Sequence, residues 1–406
     1  MLSYEEALGE LLSRIPSPRI VRLPLEACGS LVLAETVPAD MDQPPFRKSF
    51  VDGYAVRSRD TAGAPLRLKS IGEVRAGESR QPLIGPGETV RIMTGAPVPP
   101  QADAVQMVEK TRSLGEGAVE CLEPVAPGEN VAPQGSEVAE GETVLAPGRV
   151  LGAAELGVLA TFGRSEVDVF SPPRASIIAT GDELVPIGSR PAFGQIRNSN
   201  AYMLRAQCLR LGLKASIAPT VPDDRRRTGE AVREGLAHND LLLFTGGVSM
   251  GAHDYVHQVL AEEGVDVLFH KAAIKPGKPL LAGRSGERLI FGLPGNPVSA
   301  FVTFELFVRP AVRKWMRFES CSPQRVRGEL TAEVRQKPGR KFFKPARVCW
   351  KSDRFLVEPI ETRGSADLVA FSPANALLIM EADASVLKAG TPVDVLLLAD
   401  FSGSAR

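Results

Sequence analysis

Residues 3–14 place Ala7, Leu8, Leu11 and Leu12 on one helical face, and Ser3 with Glu6 has capping-box spacing, so a short amphipathic helix is predicted to open the chain. From about residue 20 to 170 the period changes. Short β-branched runs at 88–93 and 104–108 alternate with Pro-Gly turns at 86–87, 127–128 and 147–148, a pattern of β-rich modules. Within this stretch, 153–161 reads as a short helix and 165–170 as a strand. Ser171-Pro172-Pro173-Arg174 then reads as a linker, because each proline removes a donor and holds its predecessor extended.

Beyond the linker, short apolar runs at 176–179, 215–218, 241–244, 265–269 and 289–291 alternate with helical patterns at 199–211, 224–236, 255–263 and 298–316. Such alternation predicts an α/β region with a mostly parallel sheet covered on both faces. From about 322 the two-residue period returns, as in 326–330 and 391–397, and predicts a small C-terminal β-barrel or sandwich.

Composition narrows the class. A chain of 406 residues, 44% hydrophobic and 24% charged, is too long for one core and predicts a multidomain globular protein. Forty-eight Lys plus Arg balance 48 Asp plus Glu, so no global field favours nucleic acid or an anionic membrane, and any anion site must be local. The longest apolar runs, such as 241–244, fall far short of the roughly 20 residues of a membrane span. The acidic N-terminus lacks a secretory signal's basic region and apolar core. Five scattered cysteines without a C-x-x-C pair exclude the usual thiolate zinc knuckle and fit a reducing cytoplasm, the expected location.

Candidate chemistry gathers in the α/β region. Thr180-Gly181-Asp182-Glu183, Gly246-Gly247-Val248-Ser249 and Pro294-Gly295-Asn296-Pro297-Val298-Ser299 each follow a predicted strand. In an open α/β sheet these turns share the carboxyl edge, where ligands bind, and a following helix offers free N–H groups to an anion. Neither a Walker A loop nor G-x-G-x-x-G is present, which disfavours a kinase or a dinucleotide dehydrogenase. Lys271, Lys275 and Lys278 lie in a segment with two prolines and a glycine, a rigid loop able to aim ammonium groups at an oxyanion. Asp182, Glu183, Asp223 and Asp254 suit Mg²⁺ beside phosphates, although Asp223 and Asp254 equally suit helix capping. His253 and His257 have the i, i+4 spacing of a zinc pair but no evident third ligand. Asp52-Gly53 is a hairpin signal and Thr94 sits in a plain strand-to-turn segment.

Six segments in order, 51–56, 92–97, 180–184, 246–251, 274–279 and 293–299, resemble the molybdopterin molybdenumtransferase family, which includes MoeA and the C-terminal domain of gephyrin. The resemblance implies an elongated homodimer. Each subunit has a discontinuous domain (1–45 plus 137–171), an inserted β-rich domain (46–136), an α/β molybdopterin-binding domain (172–318) and a C-terminal β-barrel (319–406). It implies insertion of molybdenum from molybdate into the dithiolene of adenylylated molybdopterin, with Mg²⁺ present and AMP released. The preceding adenylylation step and a non-enzymatic scaffold are the alternatives. A molybdopterin adenylyltransferase and apo-molybdoenzymes or their chaperones are the implied partners.

Carried over by motif, Glu183, Asp223 and Asp254 are expected to hold the metal, and together with Asp52, Thr94, Lys271 and Lys275 to form the catalytic set. Thr180, Gly181, Asp182, Gly246, Gly247, Ser249, Lys278, Pro294, Asn296 and Ser299 are expected to bind the pterin nucleotide. Asp52 and Thr94 are expected to reach the cleft from the partner subunit. Departures occur at Lys48, Val51 and Asn198, where the family more often has Asn, Met and Asp. The segment 341–347 only loosely follows the family's basic strand, so Arg347 and Ser365 stay outside the assigned set.

Overall fold

The computed structural model describes residues 1–78, 81–115, 117–247 and 256–398. Its N-terminal helix, Tyr4–Ser13, starts at the expected capping box: Glu6 N donates to Ser3 Oγ at 3.1 Å, and Ser3 N donates to Glu6 Oε2 at 2.8 Å. Tyr4 packs edge-on against Phe307 of the α/β region and Phe343 of the C-terminal region, with ring centroids 5.6 and 5.1 Å away. One aromatic side chain thus ties two regions together. Burial pushes its hydroxyl pKa up to about 12.

Residues 20–170 form several small sheets. Ile20–Pro24 pairs antiparallel with Glu166–Phe170, and Val37–Pro38 with Thr143–Leu145. Between them lies a six-stranded sheet in the order Ala104–Met107, Gly53–Val56, Glu88–Ile92, Leu66–Val74, Ala118–Cys121, Thr111–Gly115. Ala55, Val90, Ile92 and Val105 fill one apolar cluster, while Val56, Leu68, Ala104 and Val119 fill another. The two-residue period therefore buries side chains on both faces of this sheet.

The α/β region contains β1 (Ala175–Ala179), β2 (Ala215–Ile217), β3 (Leu241–Thr245), β4 (Asp266–Lys271), β5 (Pro279–Ser285) and β6 (Arg288–Leu293). They form one sheet in the order β2-β1-β3-β6-β5-β4, with β2, β1, β3 and β6 parallel and β5 antiparallel to both neighbours. The hydrophobic pattern missed β5, whose apolar stretch directly follows the lysine-proline segment. Four helices cover the faces: α1 (Ser199–Arg210), α2 (Arg225–His238), α3 (Val256–Glu262) and α4 (Pro297–Thr303). Phe244 and Phe291 are fully buried under them, each contributing about 1.5–3 kcal/mol by leaving water.

The helix expected over 298–316 is interrupted by a π-helical turn, Phe304–Val308, before Arg309–Trp315. Pro310 has no N–H and crowds the carbonyl four residues earlier, so the α ladder cannot run through it. Glu305 in this turn is 1% exposed and accepts from Gln207 Nε2 at 2.8 Å and Arg309 Nη1 at 3.0 Å.

The C-terminal region is a closed barrel. Lys341–Lys351 pairs with both Arg354–Pro359 and Ala376–Met380, and Arg325–Leu330 and Pro392–Leu397 complete the ring. A short piece of the α/β region, Ile274–Lys275, joins it by pairing parallel with Lys341–Phe342. On the other side of this loop Ala273 N donates to Leu2 O at 2.8 Å. The loop carrying Lys275 is pinned between the N-terminus and the barrel. No helix among the described residues is long and apolar enough to cross a membrane.

Candidate functional site

Because β1, β3 and β6 are parallel neighbours, the turns that follow them emerge at one edge of the sheet. Backbone bonds join the turns: Thr180 N donates to Thr245 O at 3.0 Å, and Gly246 N to Leu293 O at 3.4 Å. Gly246 has φ +96°, and a Cβ there would stand 2.4 Å from Thr180 O. Gly246→Ala is therefore expected to destabilise the fold by about 2 kcal/mol or more, read as a lower urea midpoint at an unchanged m-value.

Two cavities open at this edge. The first, about 290 Å³, is lined by Thr180, Glu183, Asn198, Asn200, Gly246 and Asn296 among others. The second, about 500 Å³, lies between the α/β region and the barrel and is lined by Lys275, Lys278, Arg335, Arg340 and Lys344 together with Pro294, Ser299 and Ser365. Asn296 lines both, and its Nδ2 donates to Ser365 Oγ at 2.8 Å. The residues predict one pocket; the structure divides it into an acceptor-lined and a cation-lined chamber with Asn296 between them. A larger cavity, about 640 Å³, lies against α2 and contains none of the predicted site residues.

The cationic chamber has an excess of positive charge. Lys344 pairs with Glu361 at 2.8 Å and Arg335 with Glu333 at 2.5 Å. Lys275 Nζ lies 4.4 Å from the centroid of the Phe342 ring, and Arg340 Nη1 donates to Ile274 O at 3.4 Å. Among the described residues no carboxylate pairs with Lys275, Lys278 or Arg340, so the field there favours an anion.

The remaining predicted residues fall in different places. Gly181 has φ +148°, and Gly247 has φ +62° with a Cβ that would meet Thr180 Oγ1 at 3.0 Å. Asp182 Oδ1 accepts from Asp223 N at 3.1 Å, tying the turn after β1 to the loop before α2. The cap of α2 is Asp224, which accepts from Arg227 N at 2.8 Å; Asp223 is not the capping residue. Lys271 ends β4 and lines neither chamber. Ser249, His253 and Asp254 lie outside the described residues. Among the described residues no three His, Cys, Asp or Glu side chains gather to hold a metal ion, and His257 stacks on His270 at 6.2 Å between centroids. Asn198 takes up its family departure without loss of structure, since its side chain caps α1 by accepting from Ala201 N at 3.2 Å.

Asp52 and Thr94 meet in the six-stranded β-rich sheet region. Asp52 Oδ1 accepts from Thr94 N at 2.7 Å and Thr94 Oγ1 at 2.8 Å, yet both residues are exposed and line neither chamber. The Thr94 amide and then its hydroxyl hold the Asp52 carboxyl below the usual range. A depressed folded-state pKa stabilises above the unfolded value and loses that contribution as pH falls through the folded one. Thr94→Val is accordingly expected to shift the Asp52 titration upward, measured by ¹³C-detected NMR.

Sequence reasoning assigned no role to Asn200, Arg335 or Arg340, and touched Phe342 and Lys344 only within the loosely matched segment 341–347. Of the two loosely matched positions, Ser365 lines the cationic chamber, whereas Arg347 is exposed on its strand opposite Glu358 and does not. Only closure of the barrel brings 335, 340 and 344 to the lysine loop, and no local spacing signals it.

Glycine turns on a parallel sheet edge, next to a cation-lined chamber, define the class: an α/β protein whose site is suited to an anionic ligand. Residues 2–163 match the family described as MoeA N-terminal region (domain I and II), 176–314 a probable molybdopterin binding domain, and 327–398 the MoeA C-terminal region (domain IV). A molybdopterin molybdenumtransferase of Staphylococcus aureus (strain Mu50) is 35% identical over 401 residues, covering 98% of this chain and 95% of its own. That of Bacillus subtilis (strain 168) is 34% identical over 380 residues, covering 92% and 88%. The chain belongs to the molybdopterin molybdenumtransferase family of molybdenum cofactor biosynthesis. A crystal structure of the molybdopterin biosynthesis MoeA protein of Pyrococcus horikoshii superposes with a TM-score of 0.83 at 30% identity, covering 98% of this chain and 100% of that one.

Proposed function

We propose that the two chambers hold adenylylated molybdopterin and molybdate side by side, so that molybdenum enters the dithiolene and AMP is released. The observation that carries this reading is the junction at Asn296 of an acceptor-lined chamber with a cation-lined one. Molybdate is a small dianion, and Lys275, Lys278 and Arg340 offer it two point charges and a planar fork. The turn after β6 offers the backbone amides of Gly295 and Asn296 to the pyrophosphate linkage, whereas Gly181 N and Gly246 N already donate to Val221 O and Leu293 O.

Mg²⁺ is commonly held by one or two carboxylates plus substrate phosphates, a role that Glu183 and the hydrogen-bonded Asp182 and Asp223 would suit without a complete protein cage. Bound there, the ion neutralises charge on the phosphoanhydride. The chain's own residues bind and orient: the lysines lower the cost of bringing an oxyanion beside an already anionic pterin nucleotide, and Asn296 fixes the wall between the two.

A homodimer completes this reading, with Asp52 and Thr94 of the partner subunit closing the cleft. Their exposed position away from both chambers supports it. So does the apolar helix Ala153–Thr161, in which only Leu159 is buried. The cytoplasm, where the adenylyltransferase and the receiving apo-enzymes are expected, is the proposed location.

Incubation of the purified protein with adenylylated molybdopterin, molybdate and Mg²⁺ tests the activity. AMP release, with a product that reconstitutes an apo-molybdoenzyme, is the expected result. Adenylylation of free molybdopterin by ATP would assign the preceding step instead, and neither reaction would leave a scaffold.

A further inference from the structure

The lysine loop is held from two sides, and one side chain outside the chamber ties the two holds together. On one side Leu2 bridges Ala272 in parallel register, and Leu2 O accepts from Ala273 N at 2.8 Å. On the other, Lys341 N donates to Ala273 O at 3.0 Å, and Ile274–Lys275 pairs with Lys341–Phe342. Side chains alternate along that barrel strand. Phe342 and Lys344 line the cationic chamber with Lys275, whereas Phe343 is fully buried and meets the Tyr4 ring of the N-terminal helix. Lys341 shares the side of Tyr4: its Nζ stands 5.7 Å from that ring's centroid, 2.6 Å from Glu5 Oε1 and 3.0 Å from Glu381 Oε1. Glu5 belongs to the helix that follows Leu2, and Glu381 directly follows the strand Ala376–Met380. One ammonium group therefore joins both flanks of the loop.

A binding site gains from cations that are already in place, because a wandering side chain must be ordered when the ligand arrives. We propose that Lys341 is a positioning residue of the cationic chamber: it clamps the N-terminal helix to the barrel strand, and so keeps the loop between them in register with Lys275 over Phe342. The assignment rests on the proposed use of that chamber for molybdate. Lys341 lines neither chamber and acts on the anion only through Lys275. Both carboxylates are more than half exposed, 62% and 57%, so water screens the two pairs and their loss costs the fold little. The effect falls on the order of the loop.

The test titrates molybdate into the full-length protein by isothermal calorimetry and follows hydrogen exchange of peptides covering 271–278. Wild type, Lys341→Met, Lys341→Arg and the double variant Glu5→Gln with Glu381→Gln are compared, and Lys341→Met is repeated in a Lys275→Ala background. Lys341→Met keeps the apolar stem; it is expected to weaken molybdate about five- to tenfold, to speed exchange in the loop about tenfold, and to melt close to wild type. Lys341→Arg still reaches both carboxylates and should restore most of the affinity. The double Gln variant removes two negative charges, so a long-range field would tighten molybdate binding, whereas loss of the clamp weakens it. In the Lys275→Ala background Lys341→Met should cost under about twofold more, since it acts through that lysine. Tighter binding in the double Gln variant overturns the inference, as does wild-type affinity in Lys341→Met or a full second loss in the Lys275→Ala background. If the wild-type protein binds no molybdate, the proposed ligand falls and the exchange measurement alone judges the clamp: unchanged loop exchange in Lys341→Met overturns it.

Discussion

Replacing Lys275 by alanine is expected to slow AMP release with saturating molybdate about a hundredfold or more, the scale on which preorganised charge acts in a closed site. The backbone of Lys275 pairs with Phe342, and this pairing needs no side chain, so the loop and barrel stay joined. What disappears is an ammonium group that lines the cationic chamber and stands 4.4 Å from the centroid of the Phe342 ring. That cation–π contact contributes only about 0.5–1 kcal/mol at such a site, so folding should be nearly unaffected. Lys275→Arg keeps the charge but replaces a compact ammonium with a wider fork, and an intermediate rate is expected. Turnover within threefold of wild type for Lys275→Ala would remove this lysine from the reaction.

A second large effect is expected from mixed dimers. If Asp52 reaches the cleft from the partner subunit, Asp52→Ala and Lys275→Ala homodimers are each inactive at both sites. In a heterodimer of the two, one site has both lesions and the other has neither, so about half of wild-type activity returns. The geometry motivating this is local: Asp52 is tied to Thr94, exposed, and absent from both chambers of its own subunit. Tagged heterodimers purified by two affinity steps provide the measurement. No activity above the two parental homodimers would place a complete site within one subunit.

Much of the architecture was legible from residue pattern because short elements bury their apolar positions and carry their own stop signals. Ser3 and Glu6 announce the first helix, and apolar strands of four or five residues between helical periods announce the parallel sheet. Pattern failed where neighbours override it. β5 was hidden behind a loop rich in proline and lysine, and Pro310 split a periodic run into α, π and α pieces. The barrel closes only because Lys341–Lys351 finds two partners at once, a long-range choice that no local window contains.

At the site the division follows the same physics. Gly181, Gly246 and Gly247 could be picked out in the chain because positive φ and close backbone approach demand glycine at those points. The lysine loop was visible because prolines stiffen it. Which cations face the loop and where one cavity becomes two depend on side chains from 180, 200, 296 and 340 meeting in space. Residue identity determined the chemical groups available and the turns that present them; tertiary packing alone decided their company, since burial and charge neutralisation are properties of what surrounds an atom.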